Sequence, residues 1–234
     1  MGKILLCSTD MPSCVTDILE NLSYQIIKIP KCRSLSHEVA SHPDMIFSVL
    51  GERHLITDKN YFESNGDFFD VLAEKGVRIS VSEMVLAAKY PSDILFDAIK
   101  NDRLLIGNLK YTAPELFSEK AVTVNVKQGY ALCSTLLMKG AAVCADEGIC
   151  NALRENGYDV LQISAGNIAL DGYGYGFIGG ASAALEDEKA IVFFGDIFGH
   201  PEGKEIVDFC EKHGYKTLYT VKTPLTDLGG VKVI

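Results

Sequence analysis

The chain repeats one unit, and a repeat constrains a fold more tightly than any composition does. Three stretches, FFDVLAEKGVRISVS, GICNALRENGYDVLQIS and EIVDFCEKHGYKTLYTV, read as an amphipathic helix, then a glycine (Gly76, Gly157, Gly214), then a β-rich strand. Glycine just past a helix takes the left-handed cap conformation without a Cβ clash. Two weaker copies, SCVTDILENLSYQIIKI and APELFSEKAVTVNV, lack that glycine. Paired strand-like runs precede four of the helices: DMIFSVLGERHLITD, DILFDAIKNDRLLIGN, ALCSTLLMKGAAVCAD and GGASAALEDEKAIVFFGD. Their turns are marked by Gly-Glu, Asn-Asp, Lys-Gly and Glu-Asp, each a hairpin signal between two strands. The unit is therefore ββαβ, recurring roughly every 40 to 50 residues, a spacing typical of arrays and propellers.

The first unit is one strand short, with KILLCS, a helix near residues 12 to 22, and YQIIKI. The segment DLGGVKVI at the far end supplies the missing strand. Closing a ring in this way removes the free sheet edges that invite aggregation. The expectation is an α/β protein with a single domain over residues 1–234. It has five ββαβ units in a pseudo-fivefold closed ring, the first unit completed by the C-terminal strand.

Charge and cysteine usage narrow the partners. The formal net charge is -9, so nucleic acid and anionic membrane surfaces, both polyanions, are excluded as expected partners, and small cations are favoured. The seven cysteines, an odd number, form no zinc-type CxxC pair; no metal site, no cofactor and reduced thiols are expected. The short N-terminal apolar run MGKILLCSTDMPS falls below secretory-signal length, which with the reduced thiols predicts a cytoplasmic protein.

The five-unit architecture, with HPDMIF, GNIALDG and GFIGGASAAL, resembles the pentein superfamily of guanidine-modifying enzymes, and the chain looks like an uncharacterised bacterial branch of it. The resemblance implies a β/α-propeller whose characterised enzymes attack a guanidinium carbon with a cysteine. In those enzymes a histidine of an H-x-D motif shuttles protons, and carboxylates clamp the guanidinium nitrogens. The physics suits such a substrate: carboxylates match a planar guanidinium bidentately, and a nearby cation favours thiolate.

In such a ring the first strand of each unit lines the channel, which brings His42, Asp44, Asp93, Cys133, Ser182 and Asp227 near one axis. His42-Pro43-Asp44 spells H-x-D. The family nucleophile stands in the C-terminal strand, but TDLGGVKVI holds no cysteine, and Asp227 lies near the expected place. Cys133 enters by pseudosymmetry, from another unit's inner segment, and its competing reading is a packed core thiol. Asn167 of GNIALDG is a further candidate contact, its alternative a loop that closes one unit on the next.

The expected roles are Cys133 as nucleophile, His42 as proton shuttle, and Asp44, Asp93, Asn167 and Asp227 as substrate contacts for a small cation. The opposing class is a non-catalytic pentein that binds a small ligand or a protein, since the fold also serves a ribosome-binding translation factor. The run Gly174-x-Gly176-x-x-Gly179 spells a dinucleotide fingerprint, but too few residues follow it for a crossover helix before KAIVFFGD. Its glycines are instead expected to allow close packing at the ring centre, with Tyr173 and Tyr175 at a mouth.

Overall fold

The computed structural model describes residues 2–234. Along the chain, β1 (Lys3–Cys7), α1 (Ser13–Asn21) and β2 (Tyr24–Lys28) form the first unit. The second has α2 (Pro43–Ile46), β3 (Ser48–Gly51), β4 (His54–Asp58), α3 (Lys59–Ser64), α4 (Gly66–Glu74) and β5 (Arg78–Ser82). The third holds β6 (Ile99–Lys100), β7 (Leu104–Gly107) and β8 (Val122–Asn125). The fourth holds β9 (Thr135–Met138), β10 (Ala141–Cys144), α5 (Glu147–Glu155) and β11 (Asp159–Gln162). The fifth holds β12 (Ser182–Leu185), β13 (Ala190–Phe193), α6 (Gly203–Lys212) and β14 (Lys216–Leu218), and β15 (Val231–Val233) ends the chain.

These strands make five three-stranded sheets, one per unit. In each, the middle strand runs antiparallel to the inner strand and parallel to the outer one. The first sheet is completed by β15, antiparallel to β1 with Leu5 opposite Val233 and Cys7 opposite Val231. The C-terminal strand thus fills the vacancy that the repeat leaves.

The middle strands show why the units close on one another. Side chains of a strand alternate between its two faces, and here each face meets a different core. Ile4 and Leu6 of β1 join one hydrophobic cluster with Leu55, Ile56 and Leu105. Leu5 and Cys7 join another with Val192 and Phe194. Likewise Leu104 and Ile106 of β7 pack with Ala142 and Cys144, while Val143 of β10 packs with Ile191 and Phe193 of β13. Every middle strand but β4 is shared by two cores, so the cores follow one another around the ring. Cys7, Cys144, Cys150 and Cys210 are packing residues of these cores, and all seven cysteines are free thiols.

Gly76, Gly157 and Gly214 hold φ of 76°, 85° and 82°, the left-handed cap that the repeat demands. In the first unit the same place falls to Ser23, at φ 67°, whose N–H donates to Glu20 O at 2.8 Å. A serine there accepts a backbone conformation that costs an L-residue about 1 kcal/mol or more. The third unit departs from expectation: APELFSEKAVTVNV contains one 3-10 turn, Pro114–Leu116, in place of an α-helix. Only a single amphipathic turn precedes Ser118, whose Oγ then accepts the Lys120 N–H and redirects the backbone.

The inner segments also differ from the sequence reading. HPDMIF is not strand: His42 is the N-cap of α2 and Pro43 occupies its first turn, where proline's missing N–H costs nothing. Asp97 and Cys133 likewise lie in turns two residues before β6 and β9. The axis is therefore lined largely by the turns that enter the inner strands.

Candidate active site

Five segments converge at the axis. Asp97 Oδ1 accepts the N–H groups of Leu132 at 2.7 Å and Cys133 at 3.1 Å, so a carboxylate of the third unit shapes the turn that carries the thiol of the fourth. Asp227 works similarly: Oδ2 accepts the Phe177 N–H at 2.8 Å and Oδ1 the Gly229 N–H at 3.0 Å. The Asp227 carboxylate is only possible because its neighbours lack side chains. A Cβ on Gly180 would stand 1.9 Å from Asp227 Oδ1, and one on Gly176 would stand 2.4 Å from Asp227 Cβ. Gly179 sits against three carbonyl oxygens of residues 132, 133 and 135, with distances of 2.4 to 2.7 Å to its would-be Cβ. The glycine run serves close packing, and no helix follows it before β12.

His42 Nδ1 lies 3.8 Å from Asp227 Oδ1, and both side chains are buried. Burial drives the His42 pKa down to about 4, so its ring is neutral at physiological pH and able to take a proton. His42, Cys133 and Asp227 line one cavity of about 250 Å³ together with Tyr130, Tyr173, Tyr175 and Phe177. Tyr130 stacks on Phe177 with centroids 6.0 Å apart, and Tyr175 meets Phe177 edge-on. Tyr173 and Tyr175 are exposed at its mouth, as expected from sequence. Aromatic faces beside the Asp227 carboxyl favour a cation.

Behind the thiol lies a denser group of charges. Asp44 and Asp97 each bring a carboxylate oxygen, and Cys133 its Sγ, within 4.8 Å of one another, all buried. Lys232 of β15 is buried beside them, its pKa lowered by desolvation against the pull of both aspartates. Desolvation first, then the neighbouring Asp44 charge, raise Asp97 to about 8 and Asp227 to about 7; desolvation raises Asp44 to about 6. Burial, and then the charges of Asp97, Asp44 and Asp227, hold the Cys133 thiol well above its ordinary value.

Of the residues singled out in the sequence, His42, Cys133 and Asp227 share the cavity, and Asp44 stands directly behind it. Asp93 lies outside the lining; its Oδ2 accepts the Tyr130 hydroxyl at 2.6 Å, so it positions an aromatic wall. Asn167, at φ 62°, lines a neighbouring surface groove with Asp196 and Lys222 and is not part of the cavity lining. Its loop closes units together, as Asp227 N–H donates to Ala169 O at 2.8 Å. Ser182 faces a third space of about 240 Å³ shared with Asp44 and Lys232, and its hydroxyl donates to Ile178 O. The sequence reading missed Asp97, Lys232 and Tyr130. Asp97 was findable, because it stands two residues before its inner strand just as Cys133 does. The expectation of no metal site rested on spacing along the chain, which cannot register a cluster whose three members come from three units.

Residues 6–232 match a family of unknown function, DUF6873. The chain belongs to that family. A search of curated proteins found no match. Among solved structures, this DUF6873 chain is similar to SxtG, an amidinotransferase from Microseira wollei in the saxitoxin biosynthetic pathway. That pair has 12% identity and a TM-score of 0.57 over 88% of this chain and 73% of the other. It is also similar to DDAH from Pseudomonas aeruginosa in complex with citrulline, at 8% identity, TM-score 0.57, 94% of this chain and 92% of the other. The N-terminal domain of ArgZ, covalently bound to a reaction intermediate, matches at 14% identity, TM-score 0.55, 98% of this chain and 94% of the other. At such identities the likeness carries the fold, and the DUF6873 fold is the pentein ring. Among the described residues no helix is long and apolar enough to cross a membrane.

Proposed function

We propose that the chain is a guanidine- or amidine-modifying enzyme, hydrolase-like, acting on a small arginine-like cation in the central cavity. The observation that carries this reading is that Cys133, His42 and Asp227 line one aromatic-walled cavity. The amidinotransferase and the citrulline-bound DDAH named above, with the same ring, support the substrate class. The cation would sit against Tyr130, Tyr173 and Phe177, with Asp227 and the charges behind Cys133 compensating it.

Cys133 is the nucleophile in this reading. Its thiol is protonated in the free protein, and a bound cation beside it lowers the cost of thiolate. The thiol proton passes to neutral His42 while Sγ bonds to the guanidinium carbon. The resulting tetrahedral carbon expels an amine, which leaves with the proton that His42 returns. Water then attacks the S-amidino carbon, gives its proton to His42, and the Cys133 sulfur departs to be reprotonated, releasing a urea-type product.

The test is intact-protein mass spectrometry with arginine, agmatine and simple alkylguanidines, alongside assay of released amine or ammonia. A mass gain on Cys133 with turnover, both absent in Cys133→Ala, is the expected result. A second reading, a non-catalytic cation receptor, is favoured by one observation: burial and three carboxylates hold the Cys133 thiol well above its ordinary value. It would be established by guanidino compounds raising the Tm of native protein and of Cys133→Ala equally, without adduct or turnover.

A further inference from the structure

The cluster at the ring axis holds more than a guanidine site needs. Asp44 comes from α2, Asp97 from the loop before β6, Cys133 from the turn before β9 and Lys232 from β15, so four units contribute to one cluster. Both oxygens of Asp44 and Oδ2 of Asp97 are buried without any hydrogen-bond partner. Buried carboxylate oxygens are nearly always paired or bound to metal. A planar guanidinium takes carboxylates along its edges; here one donor atom from each of Asp44, Asp97 and Cys133 lies within 4.8 Å of the other two.

The space between these atoms has the dimensions of an ion. With all three donor atoms within 4.8 Å of one another, a central ion lies no more than about 2.8 Å from each, and small rotamer changes reach the roughly 2.0 to 2.3 Å of zinc–oxygen and zinc–sulfur bonds. The charge also balances. Two carboxylates and a thiolate around a divalent ion leave one negative charge, and a protonated Lys232, buried and lining one space with Asp44, would offset it.

We propose that Asp44, Asp97 and Cys133 form a binding site for a thiophilic divalent metal ion, zinc by ligand chemistry, with Lys232 as its buried counter-charge. Thiolate among the ligands selects zinc or cobalt over magnesium and calcium. Cys133 also lines the aromatic cavity, so one ligand is shared between the two sites. Binding replaces the S–H bond of Cys133 by an S–metal bond and the O–H bond of the Asp97 carboxyl by an O–metal bond, releasing both protons to solvent. The ion and a guanidino ligand therefore compete for the same sulfur, and metal withdraws Cys133 from attack.

The experiment uses chelator-stripped, reduced full-length protein with no guanidino compound present, so it is independent of whether Cys133 attacks one. Cobalt(II) is titrated while the near-ultraviolet thiolate-to-cobalt band is followed, and zinc is then added to displace it. One equivalent of cobalt, a band displaced by zinc, and loss of the band in Cys133→Ser are expected. Asp44→Asn and Asp97→Asn should weaken binding by roughly 100-fold or more, above the loss of an outer-shell partner. A band that persists in Cys133→Ser would place the ion elsewhere, with Cys144 and Cys150 the adjacent thiols, and overturn the proposal. Absence of cobalt binding would also overturn it. Thermal melts establish folding; should Cys133→Ser fail to fold, unchanged affinity in both aspartate variants is the refuting result. A failed titration together with an S-amidino adduct would leave the proposed enzyme standing without its metal site.

Discussion

Asp97→Asn removes one ionisable group from the buried cluster at the axis and leaves the rest in place. Asparagine keeps the carbonyl oxygen that accepts the Leu132 and Cys133 N–H groups, so the turn is preserved while the ionisable group is removed. In the folded protein, desolvation and the neighbouring Asp44 raise the Asp97 pKa from its ordinary 3.8 to about 8. Between those values the folded state binds a proton that the unfolded state has released. Stability contributed by Asp97 is therefore fully present below about pH 4 and is lost as pH rises through 8. At about 1.4 kcal/mol per pH unit, a rise from 3.8 to about 8 amounts to several kcal/mol. The groups facing Asp97 are Asp44, Cys133 and Lys232, and all three remain in the variant. The assay is urea unfolding of both proteins at pH 5, 6, 7 and 8 in the presence of chelator. Between pH 5 and 7 the stability of the variant relative to the native protein should climb by about 1.4 kcal/mol per unit. A difference that stays constant with pH would show that Asp97 is already ionised in the fold, and the account of a protonated axis would fail.

Three further outcomes follow from the same geometry. Gly179→Ala should destabilise by about 1–3 kcal/mol or prevent folding, since its Cβ would meet three backbone carbonyls; Gly174→Ala, with nothing within 4 Å, should leave the thermal midpoint nearly unchanged. Gly157→Ala and Gly214→Ala meet no atom either, so each should cost roughly 1 kcal/mol in denaturant unfolding, from positive φ alone. Acidification should charge His42 preferentially in the unfolded chain: with its folded pKa lowered to about 4 by burial, its contribution is intact above pH 6.5 and lost as pH falls toward 4. His42→Gln should therefore reduce the loss of stability over that window in acid titrations followed by circular dichroism.

Deleting residues 231–234 tests the closure of the ring. Without β15, the edge of β1 from Leu5 to Cys7 loses its antiparallel partner, and Lys232 leaves two buried aspartates uncompensated. The shortened chain should aggregate or lose cooperative unfolding; a soluble protein with a native melt would show that the ring does not depend on its last strand.

How much of this was legible beforehand depended on the range of the interaction involved. The units were readable because their signals are local: a helix, a left-handed cap at Gly76, Gly157 and Gly214, and hairpin turns are set by neighbours a few residues apart. The missing strand could be inferred by counting, and it placed β15 beside β1. Cys133, His42 and Asp227 were reachable because pseudosymmetry puts equivalent positions of different units at one axis. Local signals also misled: APELF reads as helix yet makes one 3-10 turn, and HPDMIF reads as strand yet starts a helical turn. Asn167 looked like a contact because GNIALDG resembles a glycine-rich loop of related enzymes, but the direction of a loop is set by what it closes against, here Leu225 and Asp227.

The sequence alone determined the repeat, the ring and the acidic, thiol-bearing character of its axis, because periodicity and composition survive without coordinates. Only the tertiary structure decided which groups lose water together. Asp44, Asp97, Cys133 and Lys232 are separated by up to 188 residues, and nothing in the neighbourhood of any one of them along the chain marks it as a partner of the others. Their protonation, and with it the chemistry open to Cys133, comes from desolvation and mutual charge at the axis, which exist only once five sheets have closed around it.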